Sequence, residues 1–93
     1  MSGTYKVLAT THFERDLRNL KKTEAKIKQK IMEAKEILVK DPYNQSGKYN
    51  IAKIRGVEIG KWRLRTGDYR IRYDIEGDNV VLYSVKHRRE IYR

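Results

Sequence analysis

The chain has 93 residues, 22 Lys and Arg against 12 Asp and Glu for a net charge of +10, and no cysteine. This length and an apolar content of 39% allow one domain with a thin core, and the lack of cysteine excludes disulfides, thiolate metal sites and cysteine nucleophiles. So large an excess of cations suits an anionic partner, most often a phosphate backbone; the plain alternative is a solvated, lysine-rich surface.

The opening residues, MSGTYKVLATTHFERD, hold no apolar run of the signal-peptide kind, and no stretch is long enough to span a bilayer. The expected location is therefore the cytoplasm, with no membrane partner. Residues 5–9 alternate Tyr5, Val7 and Ala9 with Lys6 and Leu8, as a strand does. Thr10 or Thr11 can then cap a helix, whose apolar stripe is Phe13, Leu17 and Leu20. A second helix over residues 23–40 carries Ile27, Ile31, Ala34 and Leu38 on one face and mostly Lys and Glu on the other. Asp41-Pro42 ends it, because the residue before proline disfavours helical geometry. Residues 43–60, with Gly47, Gly56 and Gly60, read as loop with at most a short strand at 51–54.

From there the period becomes two. Trp62 and Leu64 alternate with Lys61, Arg63 and Arg65; Tyr69, Ile71, Tyr73 and Ile75 alternate with Arg70, Arg72, Asp74 and Glu76. Gly77-Asp78-Asn79 is a turn, and residues 80–85 are the returning strand. The expected fold is α+β over a single domain, residues 1–93, in the order β-α-α-β-β-β. Two helices pack on one face of a small, antiparallel-rich sheet and leave the other face open and basic.

Strand parity then collects Lys61, Arg63, Arg65, Arg70 and Arg72 on the uncovered face, and the last strand delivers His87, Arg88 and Tyr92 to its edge. Guanidinium groups bind phosphate oxygens in bidentate fashion at any working pH, and tyrosine stacks on unpaired bases. His12 reads as polar surface in a first helical turn, and Trp62, Tyr69 and Tyr73 as core. The carboxylates Glu14, Asp16, Asp74, Glu76 and Asp78 lack the spacing of a metal site. No Gly-rich phosphate loop, Ser-His-Asp set or zinc spacing occurs, so neither metal nor cofactor is expected.

The stretch GKWRLRTGDYRIRYDIEGDNVVLYSVKHRREIYR resembles the RelE family of toxins from bacterial and archaeal toxin–antitoxin systems. The likeness rests on KWRLR, GDYRIRY, the GDN hairpin, VVLYSV and HRREIY, and the β-α-α beginning extends it over nearly the whole chain. It implies the toxin of a type II system: a ribosome-dependent, metal-independent endoribonuclease that cuts messenger RNA in the decoding site, the ribose 2′-OH attacking the adjacent phosphate. By position it implies that Lys61 and Arg63 deprotonate and orient the 2′-OH, with Arg65 in the same cluster. Arg70 holds the scissile phosphate, Arg88 stabilises or protonates the leaving oxygen, and Tyr92 positions a base. His87 is the alternative to Arg88 as general acid, and Arg72, Lys86 and Arg89 bind RNA. A lysine crowded by cations, such as Lys61, sheds its proton more readily; guanidinium charge stabilises the phosphorane; the ribosome holds the RNA in line. The resemblance further implies an acidic or amphipathic RelB-like antitoxin, disordered alone, that covers the cations and carries the pair to operator DNA. The chain closes on HRREIYR, and no C-terminal helix is expected. Two rival readings are a ParE-like toxin that binds DNA gyrase and cuts nothing, and a basic RNA-binding module without activity.

Overall fold

The computed structural model describes residues 4–91. Its elements are β1 (Lys6–Ala9), α1 (Thr11–Lys21), α2 (Ile27–Lys40), β2 (Ile51–Lys53), β3 (Trp62–Thr66), β4 (Tyr69–Glu76), β5 (Asn79–His87) and α3 (Arg88–Ile91). The class is α+β, as expected. The sheet has five strands in the order β1-β5-β4-β3-β2, with β1 parallel to β5 and every other pair antiparallel. The short strand allowed at 51–54 forms as β2, pairing Ile51 with Leu64 and Lys53 with Trp62, and adds a fourth strand after the helices. One element departs from the expected order. The chain turns helical after β5. That turn is possible because its first donors are satisfied: the His87 N–H donates to the Glu90 carboxylate at 2.9 Å and the Arg88 N–H to the Asp68 carbonyl at 2.7 Å.

Local chemistry sets the helix ends. The Thr10 hydroxyl oxygen accepts from the Phe13 N–H at 3.1 Å and donates to the Leu82 carbonyl at 2.9 Å, so one cap starts α1 and fastens it to β5. α2 begins at Ile27, four residues later than its periodicity suggests. The N–H groups of Thr23 and Glu24 both turn back to the Leu20 carbonyl, closing α1 instead. No helix among the described residues is long and apolar enough to cross a membrane.

The core lies between the helices and one side of the sheet. Phe13 and Leu20 of α1 and Ile27, Ile31, Ala34 and Leu38 of α2 meet Leu64, Ile71, Tyr73, Val80, Leu82 and Val85. Each large apolar side chain buried there contributes about 1.5–3 kcal/mol relative to exposure. Tyr73 is fully buried, and its hydroxyl donates to the Pro42 carbonyl at 2.7 Å. Burial disfavours the phenolate and pushes its pKa well above that of free tyrosine.

The pairing of β4 with β5 contains one irregularity. Arg72 pairs with Ser84, but Tyr73 pairs with Leu82, so Tyr83 is an extra residue in β5. Such a bulge reverses the side-chain parity of everything beyond it. Val80 and Leu82 face the core before it; Val85 and His87 do so after it.

Candidate nucleic-acid interface

Three adjacent strands arrange the central cations in two rungs. Arg63, Arg72 and Ser84 are register partners across β3, β4 and β5, and so are Arg65, Arg70 and Lys86. Direct cross-strand neighbours have Cβ atoms about 4.5–5.5 Å apart, and like charges there are destabilising. Neither rung contains a carboxylate. Arg63, Arg70, Arg72, Ser84 and Lys86, with Ile54, line a cavity of about 310 Å³. The Arg63 Nε is buried and has no hydrogen-bond partner among the described residues, so its N–H is a donor still to be satisfied.

Two of these cations are held in place by the fold. Arg72 donates from Nε to the Gly60 carbonyl at 3.0 Å and from Nη2 to the Ile59 carbonyl at 2.8 Å. Asp74 completes the clip, accepting the N–H groups of Gly60 and Lys61 at 2.7 and 3.0 Å. Gly60 is required at this point. Its φ is +65°, and a Cβ there would lie 2.9 Å from the Tyr83 ring and 3.1 Å from Arg72. The loop before β3 is therefore drawn down onto the sheet beside the cavity. Lys86 bonds through Nζ to Asp16 at 3.2 Å. Asp16 is itself buried and also accepts the Val85 N–H at 3.2 Å, on the edge of β5 that β1 leaves open.

The remaining sequence-predicted residues fall elsewhere. Lys61 is exposed and lines a separate cavity of about 450 Å³ together with Glu58, Asp74 and Glu76. Among the described residues Lys53 is the one other cation on its walls, against three carboxylates, so Lys61 is not crowded by positive charge as expected. Arg65 belongs to the second rung but is exposed and does not line the smaller cavity. His87 corrects the parity expectation outright. The bulge turns it to the core side, where it is 8% exposed and packs edge-on against Tyr69 at 5.2 Å. Its Nδ1 accepts from the Arg89 N–H at 3.1 Å and its Nε2 lies 3.8 Å from Glu24. Arg88 pairs with Asp68 at 3.7 Å, both groups more than half exposed, and Arg89 pairs with Glu24. Tyr92 lies outside the described residues. Among those residues no three His, Asp or Glu side chains gather as a metal site requires.

In the sequence Ser84 and Tyr83 have no assigned role and Asp16 enters only as a rejected metal ligand; the bulge and α1 bring all three to the cations. One signal was available: Leu82 and Val85 stand three apart, a break in the alternation of two.

A family model described as the ParE toxin of the type II toxin–antitoxin system, parDE, matches residues 7–92. The chain belongs to this toxin family. Within it, the resemblance to RelE members is concrete. Toxin RelE3 of Methanocaldococcus jannaschii is 40% identical over 45 residues, 48% of this chain and 50% of that one, so the match spans about half the length of the curated relative. The toxin in the RelBE2 toxin–antitoxin complex of Mycobacterium tuberculosis superposes with a TM-score of 0.72 at 28% identity, covering 90% of this chain and 98% of the other. The RelB–RelE complex of Methanococcus jannaschii gives a TM-score of 0.58 at 29% identity, over 91% and 94% of the two chains. The two-rung cation cluster of this RelE/ParE toxin thus sits on a fold already known in toxin–antitoxin complexes.

Proposed function

We propose that this toxin is a ribosome-dependent endoribonuclease that cuts messenger RNA in the decoding site and so arrests translation in the cytoplasm. The observation that carries the reading is the 310 Å³ cavity, lined by three arginines and a lysine with no carboxylate among the described residues of its walls. A phosphodiester suits such a cavity, because its charge opposes that of the walls and its oxygens accept from guanidinium and ammonium donors.

In the proposed reaction the ribose 2′-oxygen bonds to the adjacent phosphorus, the P–O5′ bond breaks, the 2′-OH proton leaves to a base and the O5′ atom gains a proton. Arg70 and Arg63 hold the scissile phosphate and stabilise charge as the phosphorane forms. Lys86 and Arg72 bind neighbouring backbone. Lys61 reaches the RNA from one end of the sheet to orient the 2′-OH, and Arg88 from the other to stabilise or protonate the leaving oxygen. An exposed ion pair such as Arg88–Asp68 is worth little, so RNA can draw Arg88 away from Asp68. Tyr92 positions a base, and Arg65 and Arg89 add contacts to the backbone. No step passes through His87, whose ring nitrogens are turned to Arg89 and Glu24. The ribosome would fix the RNA in line, which this small cleft does not do for itself. The antitoxin complexes of its structural relatives support a RelB-like partner here, covering the cations at rest and binding operator DNA for the pair.

Primer extension on a translated message tests the reading: cuts inside codons, present with ribosomes and suppressed by the antitoxin, are expected. A gyrase-binding toxin has no chemical need for the two rungs. Supercoiling-dependent DNA damage with intact messages would establish that reading in place of this one.

A further inference from the structure

The bulge that reverses β5 leaves one aromatic side chain without a place in the core. Tyr83 is half-buried and lines the cavity of about 450 Å³, with the guanidinium of Arg72, a wall of the smaller cation cavity, 5.7 Å from its ring centre. The imidazole of His12, from the first turn of α1, stacks on it at 4.6 Å with 16° between the planes. The three groups make a column, Arg72–Tyr83–His12, that begins at a wall of the cation cavity and ends in solvent. The His12 side chain is 42% exposed.

Hydrogen bonding sets how His12 presents itself. Its Nδ1 lies 3.0 Å from the Tyr83 carbonyl, which can only accept, so Nδ1 carries the proton. The Asp16 carboxylate, 3.6 Å from the same nitrogen, favours that tautomer. In the neutral ring Nε2 is then a bare acceptor. Fastening α1 to β5 does not require this arrangement, because Thr10 and Asp16 already do so through the Leu82 carbonyl and the Val85 N–H. An exposed imidazole backed by a tyrosine ring, with Arg72 of the cation cavity on the far side of that ring, has the form of a base-stacking shelf.

We propose that His12, backed by Tyr83, is a nucleobase subsite of the RNA cleft. A base flanking the bound phosphate stacks on the imidazole face, purines more strongly than pyrimidines because they offer the larger ring surface. The proposal rests on the reading of the cavity as an RNA cleft and deepens it by naming where sequence preference arises.

The test is direct binding of the full-length chain to short single-stranded 2′-O-methyl oligonucleotides, uncleavable and differing at one base, followed by fluorescence anisotropy over a range of salt. His12→Ala should weaken binding about tenfold, the scale of one lost base stack, without changing the slope of log Kd against log salt. His12→Phe, which keeps a stacking face, should restore the affinity and the purine preference. Arg70→Ala should instead lower the slope, by roughly 0.7 for one lost phosphate contact. His12→Gln, which keeps a donor for the Tyr83 carbonyl, reads the same loss of stacking if the alanine variant does not fold. If the His12 variants bind as the native chain does while Arg70→Ala is weakened, the shelf is wrong and the cleft stands. If the native chain does not bind, or Arg70→Ala leaves binding unchanged, the RNA reading falls and the shelf with it.

Discussion

Cations at the middle of the sheet and cations at the far end of β5 live under different rules. At the far end, among the described residues, Arg88 has Asp68 and Arg89 has Glu24, which also lies 3.8 Å from His87 and accepts from the Tyr69 hydroxyl at 3.1 Å. In the middle, two rungs of five cations and a serine contain no carboxylate, and Asp16 pairs with Lys86 from outside them. The first arrangement ties the α1–α2 turn to the end of the sheet and supports the fold. The second sets like charges side by side across three strands, which opposes folding and suits an anionic ligand. The two regions differ less in how many cations they hold than in how those cations are arranged.

The contrast can be broken most decisively at Arg70. Arg70→Ala should lower cleavage of translated message by about 10²–10³-fold, the usual cost of losing one preorganised charge at a reacting centre, with the thermal midpoint little changed. A fall in stability that accounts for the lost activity would erase the distinction. Glu24→Gln should behave in the opposite way, costing about 1 kcal/mol in urea unfolding, since its partner Arg89 is largely exposed and screened. Arg63→Gln sharpens the comparison further. Relief of the Arg63–Arg72 repulsion should raise stability by about 0.5 kcal/mol at low salt, the gain shrinking as salt is added, while cleavage falls. A destabilised Arg63→Gln would mean that the rungs are part of the scaffold.

The smallest effect lies at high pH. Burial, then its hydrogen bond to Glu24, pushes the Tyr69 hydroxyl from the free value of 10 up to about 12. Because the folded state raises this pKa, the Tyr69 contribution should be fully present below pH 10 and lost as pH climbs toward 12. Unfolding midpoints measured across that window should fall less steeply for Tyr69→Phe than for the native chain.

Much of this was legible in the residues themselves. Periods of four and three in Phe13, Leu17 and Leu20, and of two in residues 61–76, report local geometry directly, because a helix or strand must put its apolar atoms on the side that is buried. That reading yields α+β, the helical pair, the basic strand faces and Arg63, Arg70 and Arg72 on a shared surface. Where alternation is the only guide, though, a single inserted residue defeats it. Tyr83 carries no local mark of being surplus; it is surplus because Arg72 and Tyr73 skip it when β4 and β5 pair. That long-range choice sends His87 inward, turns Lys86 and Ser84 toward the arginines and leaves Tyr83 for His12 to stack on. It was also tertiary contact that bent the 54–61 loop onto Arg72 and Asp74 and gave Lys61 acidic neighbours. Sequence determined which side chains carry charge and which faces are apolar, since those are properties of residues and short spacings. Which charges meet one another, and which are left facing solvent, depended on register between strands far apart in the chain, and only the folded sheet decided it.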